Sequence, residues 1–282
     1  MNHTFLSRQK RRFAAPLGLL ALGLLFAPAT RGQTILGSTG SYGVMAGSTV
    51  TINGTTTITG DLGRASIAGT GSLTLNGSQA VISSQNQADF TRAYTGLGAM
   101  TSTSDLSGQG LGGLTLTPGV YSFTSTAQLT GTLTLDAQNL ANAVWVFQIG
   151  STLTTAANAS VVFINQAADS VTNNGLFWQV GTTTSVGANS SLEGNFLGGT
   201  TFTLGIGATI NHGRALTGTT GTITLGGNTI DFGDANSGYS GGLAFDGAGN
   251  SISAVPEPST YGLLTGMAML GVVMLRRRPR HV

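Results

Sequence analysis

The sequence contains no cysteine, which excludes disulfides, thiolate catalysis and cysteine-ligated zinc or iron–sulfur centres. Packing and backbone pairing must hold the fold. Charge is scarce as well: 8% of the 282 residues are charged while 40% are hydrophobic, a balance that supplies a core and excludes ordinary disorder. The formal charge of +2 and a pI near 9.3 look basic, but the cations sit at the ends, at Arg8, Lys10, Arg11, Arg12 and Arg31 and at Arg276, Arg277, Arg278 and Arg280. Between Gln33 and Ala254 only Arg64, Arg92 and Arg214 stand against nine carboxylates, a net charge of −6. Phosphate binding needs clustered Lys and Arg, so nucleic acid is excluded as a partner.

Histidine is equally sparse. His212 is the one histidine of the central region, and no Gly-x-Ser-x-Gly elbow accompanies it. A lyase on a β-helix would need a basic cluster that three scattered arginines do not supply. Asp231, Asp234 and Asn236 match no calcium-loop spacing and read as solvated turn residues. The chain reads as a non-enzyme, with no cofactor and no metal.

Each end carries an address. A basic cluster from Arg8 to Arg12, an apolar run from Phe13 to Phe26 and the small residues of Ala27-Pro28-Ala29 form a signal peptide over residues 1–32, a substrate for signal peptidase. A retained anchor is the alternative, disfavoured by the short run and the small-residue site after it. At the other end, over residues 255–282, stand Pro256-Glu257-Pro258, an apolar stretch from Tyr261 to Leu275 and the arginine block Arg276, Arg277, Arg278 and Arg280. Fifteen helical residues span about 22 Å, short of a roughly 30 Å hydrocarbon layer. Hydrophobic helices are expected at both ends.

In the centre, residues 33–233, short alternating runs are separated by Gly, Asn, Ser and Thr, the pattern of half-buried strands. Leu114 to Leu133, Leu133 to Leu153 and Leu204 to Leu225 are spaced by 19, 20 and 21 residues, a period suited to one turn of a solenoid. Trp145-Val146-Phe147-Gln148-Ile149-Gly150 echoes Leu176-Phe177-Trp178-Gln179-Val180-Gly181, which predicts strands stacked near one another with both tryptophans in packing. One segment differs: from Ser84 to Met100, Phe90, Ala93, Tyr94 and Leu97 recur at helical spacing, with Ser83 or Ser84 available as N-cap. Residues 234–254 are Gly, Ser, Asn and Ala with little periodicity and read as a flexible tether.

The C-terminal triad of box, apolar stretch and basic tail resembles the PEP-CTERM sorting signal. The resemblance implies an exosortase-type enzyme as partner, cleavage near Pro256-Glu257-Pro258, transient anchoring in the inner membrane, and then a cell-surface or extracellular location in a Gram-negative bacterium making extracellular polysaccharide. A plain C-terminal membrane anchor is the other reading. The order Ile58-Thr59-Gly60-Asp61, the helix, Thr117-Pro118-Gly119-Val120-Tyr121, Trp145-Val146-Phe147-Gln148, Phe177-Trp178-Gln179-Val180 and Glu193-Gly194-Asn195-Phe196 resembles the bacterial and fungal ice-binding protein family. That implies a mainly β fold, a discontinuous right-handed β-solenoid, roughly triangular in section, with one long α-helix alongside.

Ice is bound by a flat, uncharged face whose threonines order water. The residues expected outward are Thr115, Thr117, Thr132, Thr134, Thr152, Thr154, Thr201, Thr203, Thr222 and Thr224, while keeping Val180 and Val186 inward turns Thr183 and Ser185 outward. Threonine favours any half-exposed strand, so the same rows also fit a structural role. The partner is thus an ice or water surface, or an extracellular polysaccharide if the chain is an adhesin or matrix protein.

Overall fold

The computed structural model describes residues 35–168, 173–233, 238–245 and 252–254. Twenty strands form one wholly parallel sheet, wound into coils whose strands stack on three sides. The helix side stacks Gly119–Phe123, Val144–Ile149, Gly175–Val180, the second halves of Ser191–Gly198 and Thr209–Thr217, and the first halves of Tyr42–Ile52 and Asp61–Ala68. A second side stacks Ala127–Leu129, Leu153–Thr155, Thr183–Val186, Thr201–Leu204, Thr222–Leu225 and the second halves of those last two strands. The third stacks Thr115–Leu116, Thr132–Asp136, Ser160–Ile164, the first halves of Ser191–Gly198 and Thr209–Thr217, then Thr229–Asp231, Thr56–Thr59 and Leu73–Asn76.

The winding is discontinuous. The two N-terminal coils do not begin the stack; they sit on the last coil, where Val44 pairs with Ala215, Thr51 with Thr224 and Ile58 with Ile230. The chain must therefore travel from Gln79–Ala80 at one end to Ser104–Asp105 at the other, eight steps of about 4.8 Å, or about 38 Å. The helix α1 (Ser84–Ala99) supplies about 24 Å of that. The seven flanking residues, at up to about 3.3 Å each, cover the remainder.

Alternation along each strand fills the interior with Leu, Ile, Val and Phe. On the helix side the interior is aromatic: Tyr121 and Phe147 stack at 5.5 Å, Phe147 and Trp178 at 4.1 Å, and Trp178 and Phe196 at 5.4 Å. The two echoing segments are direct neighbours, Phe147 opposite Trp178 and Gln148 opposite Gln179, and both tryptophans are buried. The period holds for Leu204 and Leu225, which pair, and for Leu114 and Leu133, whose neighbours Thr115 and Thr134 pair. It fails for Leu133 and Leu153, which lie on different sides of the solenoid, because loops lengthen some coils.

The outward residues of the helix side are also apolar. Val120, Val146, Phe177, Leu197 and Leu216 form a second core with Phe90, Ala93 and Leu97 of α1. Ser83 caps the helix in a capping box with Asn86. At its other end the Gln148 amide donates to the carbonyls of Leu97 and Met100, at 2.7 and 2.8 Å, satisfying acceptors that a helix terminus leaves open.

The expected tether is, where described, a strap docked on the body. It returns along the solenoid axis, crossing successive coils. Asn195 Nδ2 donates to the carbonyls of Gly238 and Tyr239, both at 2.9 Å, Leu176 N–H donates to Tyr239 O, and Gly241 N–H to Asn174 O. Tyr239 stacks on Phe163 at 4.3 Å and Leu243 is buried in the outer core. A hairpin, Leu243–Phe245 with Ile252–Ala254, then closes onto the helix, with Arg92 over the Phe245 ring at 4.3 Å. Composition hid this because the strap's hydrogen-bond partners belong to the body. The chief one is Asn195, which is held in turn by Arg214: fully buried, Arg214 donates to Asn195 Oδ1 at 2.8 Å, to Gly40 O at 3.0 Å and to Gly238 O of the strap at 3.4 Å, and lies 4.5 Å from the Phe232 ring. Burial lowers its pKa to about 10, so it stays charged at neutral pH.

The signal peptide, the PEP-CTERM segment with Pro256, Glu257, Pro258, Arg276, Arg277 and Arg278, and both expected terminal helices lie outside the described residues. Among the described residues no helix is long and apolar enough to cross a membrane.

Candidate functional site

The three sides differ in what they offer to solvent. The helix side is covered. The third side presents Asp136, Glu193 and Asp231 together with exposed Val162 and Ile164. The second side presents no charged residue at any outward position of its strands.

On that uncharged side one outward column runs in register through seven coils, Gln128, Thr154, Ser185, Thr203, Thr224, Thr51 and Ala68. Two residues earlier on each strand, about 6.6 Å away, Thr183, Thr201 and Thr222 form a second column that Thr49 and Ser66 continue. Behind them Leu153, Phe202, Ile223 and Val50 are buried, which fixes the hydroxyl-bearing residues outward. Between the end strands, Ala127–Leu129 and the second half of Asp61–Ala68, every strand of this side is paired on both edges, so the surface between them is stiff.

A short repeat in the chain encodes this arrangement: Gly47-Ser48-Thr49-Val50-Thr51, Gly150-Ser151-Thr152-Leu153-Thr154, Gly181-Thr182-Thr183-Thr184-Ser185 and Gly199-Thr200-Thr201-Phe202-Thr203. The glycine turns the corner from the helix side. At Gly181 a Cβ would stand 2.2 Å from Gly150 O, and at Gly199 2.1 Å from Gly181 O, so any side chain there would push the coils apart. The second residue of each repeat adds a rim of hydroxyls, among which Ser151 and Thr182 meet at 3.5 Å and Thr200 donates to Thr182 O at 3.0 Å. The Gly218–Gly221 corner carries two extra residues, and its Thr219 reaches Gln87 of the helix.

Of the ten threonines singled out by sequence, Thr154, Thr201, Thr203, Thr222 and Thr224 share the uncharged side and Thr152 stands at its margin. Thr115, Thr132 and Thr134 lie on the third side, and Thr117 is exposed on the turn before Pro118, outside any strand. Thr183 and Ser185 point outward as expected, with Val186 buried. Thr49 and Thr51 were missed; the five-residue repeat is the signal that finds them.

His212 is the ionisable residue nearest to a catalytic look. It sits in a strand irregularity at φ +45°, its Nδ1 3.1 Å from Glu193 Oε2. Burial raises the Glu193 pKa, with the His212 contact working the other way. Among the described residues no three His, Cys, Asp or Glu side chains converge to hold a metal.

Comparison with known proteins gives two family matches. A model described as ice-binding-like matches residues 44–231, and one described as a PEP-CTERM protein-sorting motif matches residues 254–278. An ice-binding protein from Nostoc sp. (strain HG1) is 37% identical over 95% of this chain and 96% of its own length. The crystal structure of an ice-binding protein from the Antarctic ascomycete Antarctomyces psychrotrophicus superimposes with a TM-score of 0.63 at 36% identity, covering 70% of this chain and 96% of that one. An ice-binding protein from an Antarctic biological consortium does so with a TM-score of 0.63 at 38% identity, covering 71% and 90%.

Proposed function

Because the chain belongs to the ice-binding-like family, we propose that it is an exported, non-enzymatic protein that adsorbs to ice through the uncharged side of its solenoid. The observation that carries this reading is the in-register column Thr154, Ser185, Thr203, Thr224 and Thr51 beside Thr183, Thr201, Thr222 and Thr49. Neighbouring coils about 4.8 Å apart and columns about 6.6 Å apart make a two-dimensional grid comparable to the repeats of an ice surface. Each threonine offers a hydroxyl that hydrogen-bonds water and a methyl that does not, so water over the grid is positioned rather than drawn into a charged hydration shell. No group needs to move on contact, and adsorption therefore loses little conformational entropy.

The sorting motif alone would fit a polysaccharide-matrix protein equally well. The placement of the aromatic rings favours ice: every ring among the described residues is buried or half-buried, leaving no exposed platform on which a sugar could stack.

The test is thermal hysteresis of the mature protein with Thr203→Tyr at the centre of the grid and Thr134→Tyr on the third side as control. We expect Thr203→Tyr to remove more than about half of the activity, since a few central residues carry most of the energy of a contact surface, and Thr134→Tyr to leave it unchanged. Equal activity in both variants, or none in the unaltered protein, would overturn the reading.

A further inference from the structure

The two ends of the solenoid are finished differently. At one, the loop after Ser104–Asp105 turns Leu106 and Leu111 into the core, where both are buried, and Leu111 N–H donates to Gln128 O at 2.8 Å. The edges there are blunted as well: Ser104–Asp105 carries an exposed carboxylate, and Thr115–Leu116 runs into Pro118. At the other end, among the described residues, no strand pairs with the outer edge of the last coil. Ser66–Ala68, Leu73–Asn76 and Gln79–Ala80 are each paired on one edge only, with Thr49–Thr51, Thr56–Thr59 and Leu62–Gly63. Register sets Ile67 level with buried Val50 and Leu75 level with buried Ile58, so both belong to columns that fill the interior. Yet Ile67 is 45% exposed, Leu73 and Leu75 are only half-buried, and Val81 is 78% exposed. From Ala65 to Val81 there is no charged residue and no proline, and the nearest charges, Asp61 and Arg64, are engaged by Ser78 and Gln79 of the same coil.

We propose that this open end is the interface with a second copy of the chain, docked end to end about a two-fold axis perpendicular to the solenoid. Unpaired backbone groups on three sides call for strands in the same three-sided arrangement, and an apolar centre calls for another apolar centre. The open end of a second copy offers both. The opposite end, with its carboxylate and its leucines already buried, offers neither, which rules out head-to-tail stacking. The assembly therefore closes at two copies instead of growing into a fibre. A two-fold reverses strand direction, so the ladders formed across it are antiparallel. A coil perimeter of about 60 Å encloses, with its side chains, an end face on the order of 500 Å², and two such faces reach about 1,000 Å², the lower bound of a specific interface. The pair accordingly forms and dissociates with concentration. Pairing of the ends is independent of ice contact, so either can fail without the other.

Sedimentation equilibrium of the mature protein, from micromolar to millimolar concentration, measures the association. We expect a monomer–dimer equilibrium, weakened at least about tenfold by Ile67→Lys/Val81→Lys. Val162→Lys/Ile164→Lys, which removes two exposed apolar side chains from the third side, should leave it unchanged. Hydrogen exchange on the unaltered protein needs no variant to fold: amide protection from Ser66 to Asn76 should rise with concentration in step with the dimer fraction. Monomer throughout, growth beyond two copies, or a dimer as strong in Ile67→Lys/Val81→Lys as in the unaltered protein would overturn the proposal. So would protection of those amides that does not depend on concentration, because a segment of the same chain would then be covering the end.

Discussion

Thr184 is a hydroxyl placed on the wrong side of its strand. It is fully buried, level with Leu153 on one neighbouring coil and Phe202 on the other, and its Oγ1 has no hydrogen-bond partner. A buried hydroxyl without a partner loses its water bonds and regains nothing, a cost of about 1–3 kcal/mol. Thr184→Val keeps the shape and removes that cost, so the melting temperature should rise by about 2–4 °C per kcal/mol in a chain of this size. Thermal hysteresis should not change, because the substituted atom faces the interior; calorimetry and a hysteresis measurement on one preparation check both halves. The residue also shows what the sequence could tell. In Gly181-Thr182-Thr183-Thr184-Ser185 composition alone cannot say which hydroxyls face out, but the phase set by Val180 and Val186 can, and it places Thr183 and Ser185 outside. No such phase relates Thr115 or Thr132 to Thr222. Which of three sides a strand joins is decided by loop lengths between strands, and the threonines on the third side look the same in sequence as those on the second.

Among the elements, the helix was legible and the strap was not, for opposite reasons. The helix carries its own evidence in its apolar spacing and in a cap that needs only Ser83 and Asn86. The strap borrows its order from Asn195 and Arg214, distant in sequence. What ties the helix to the N-terminal segment is Asp89, which accepts from the Ser38 backbone N–H at 2.8 Å, the Ser38 hydroxyl at 2.6 Å and Gln85 at 2.8 Å. Burial by itself would raise this carboxyl, but the Ser38 and Gln85 hydrogen bonds and the nearby Arg92 more than offset it and hold the pKa below the ordinary value. A carboxyl with a depressed folded pKa stabilises fully above its unfolded pKa of about 3.9, and that contribution is lost as pH falls through the folded value. Asp89→Asn should therefore be less stable than the unaltered protein at pH 7, by about 1–3 kcal/mol for the disrupted charged hydrogen bonds, and the difference should shrink below pH 4. Urea melts at pH 7 and pH 3 measure it, and a difference independent of pH would show that Asp89 acts by packing alone.

At the scale of the whole molecule, the fold class and the grid were readable as types of structure, whereas the seam was not, because nothing local in Thr49-Val50-Thr51 says that it will lie beside Thr222-Ile223-Thr224. The two N-terminal coils are carried away by the helix and met again by the last coil, so the uncharged side is assembled from both halves of the chain. If that side works as one surface, position along the chain should not matter and position on the grid should. Thr51→Tyr and Thr224→Tyr, adjacent across the seam, should each reduce thermal hysteresis as much as the other, although more than 170 residues separate them. A tyrosine at either position lifts the same patch of ordered water off the surface, so the double variant should lose far less than the two single losses combined, as contacting positions do when they share one function. Independent, additive losses would mean that the N-terminal coils and the later coils contact ice separately. An effect of Thr224→Tyr with none of Thr51→Tyr would confine the contact to the coils that follow the helix, leaving the N-terminal pair as an end cap.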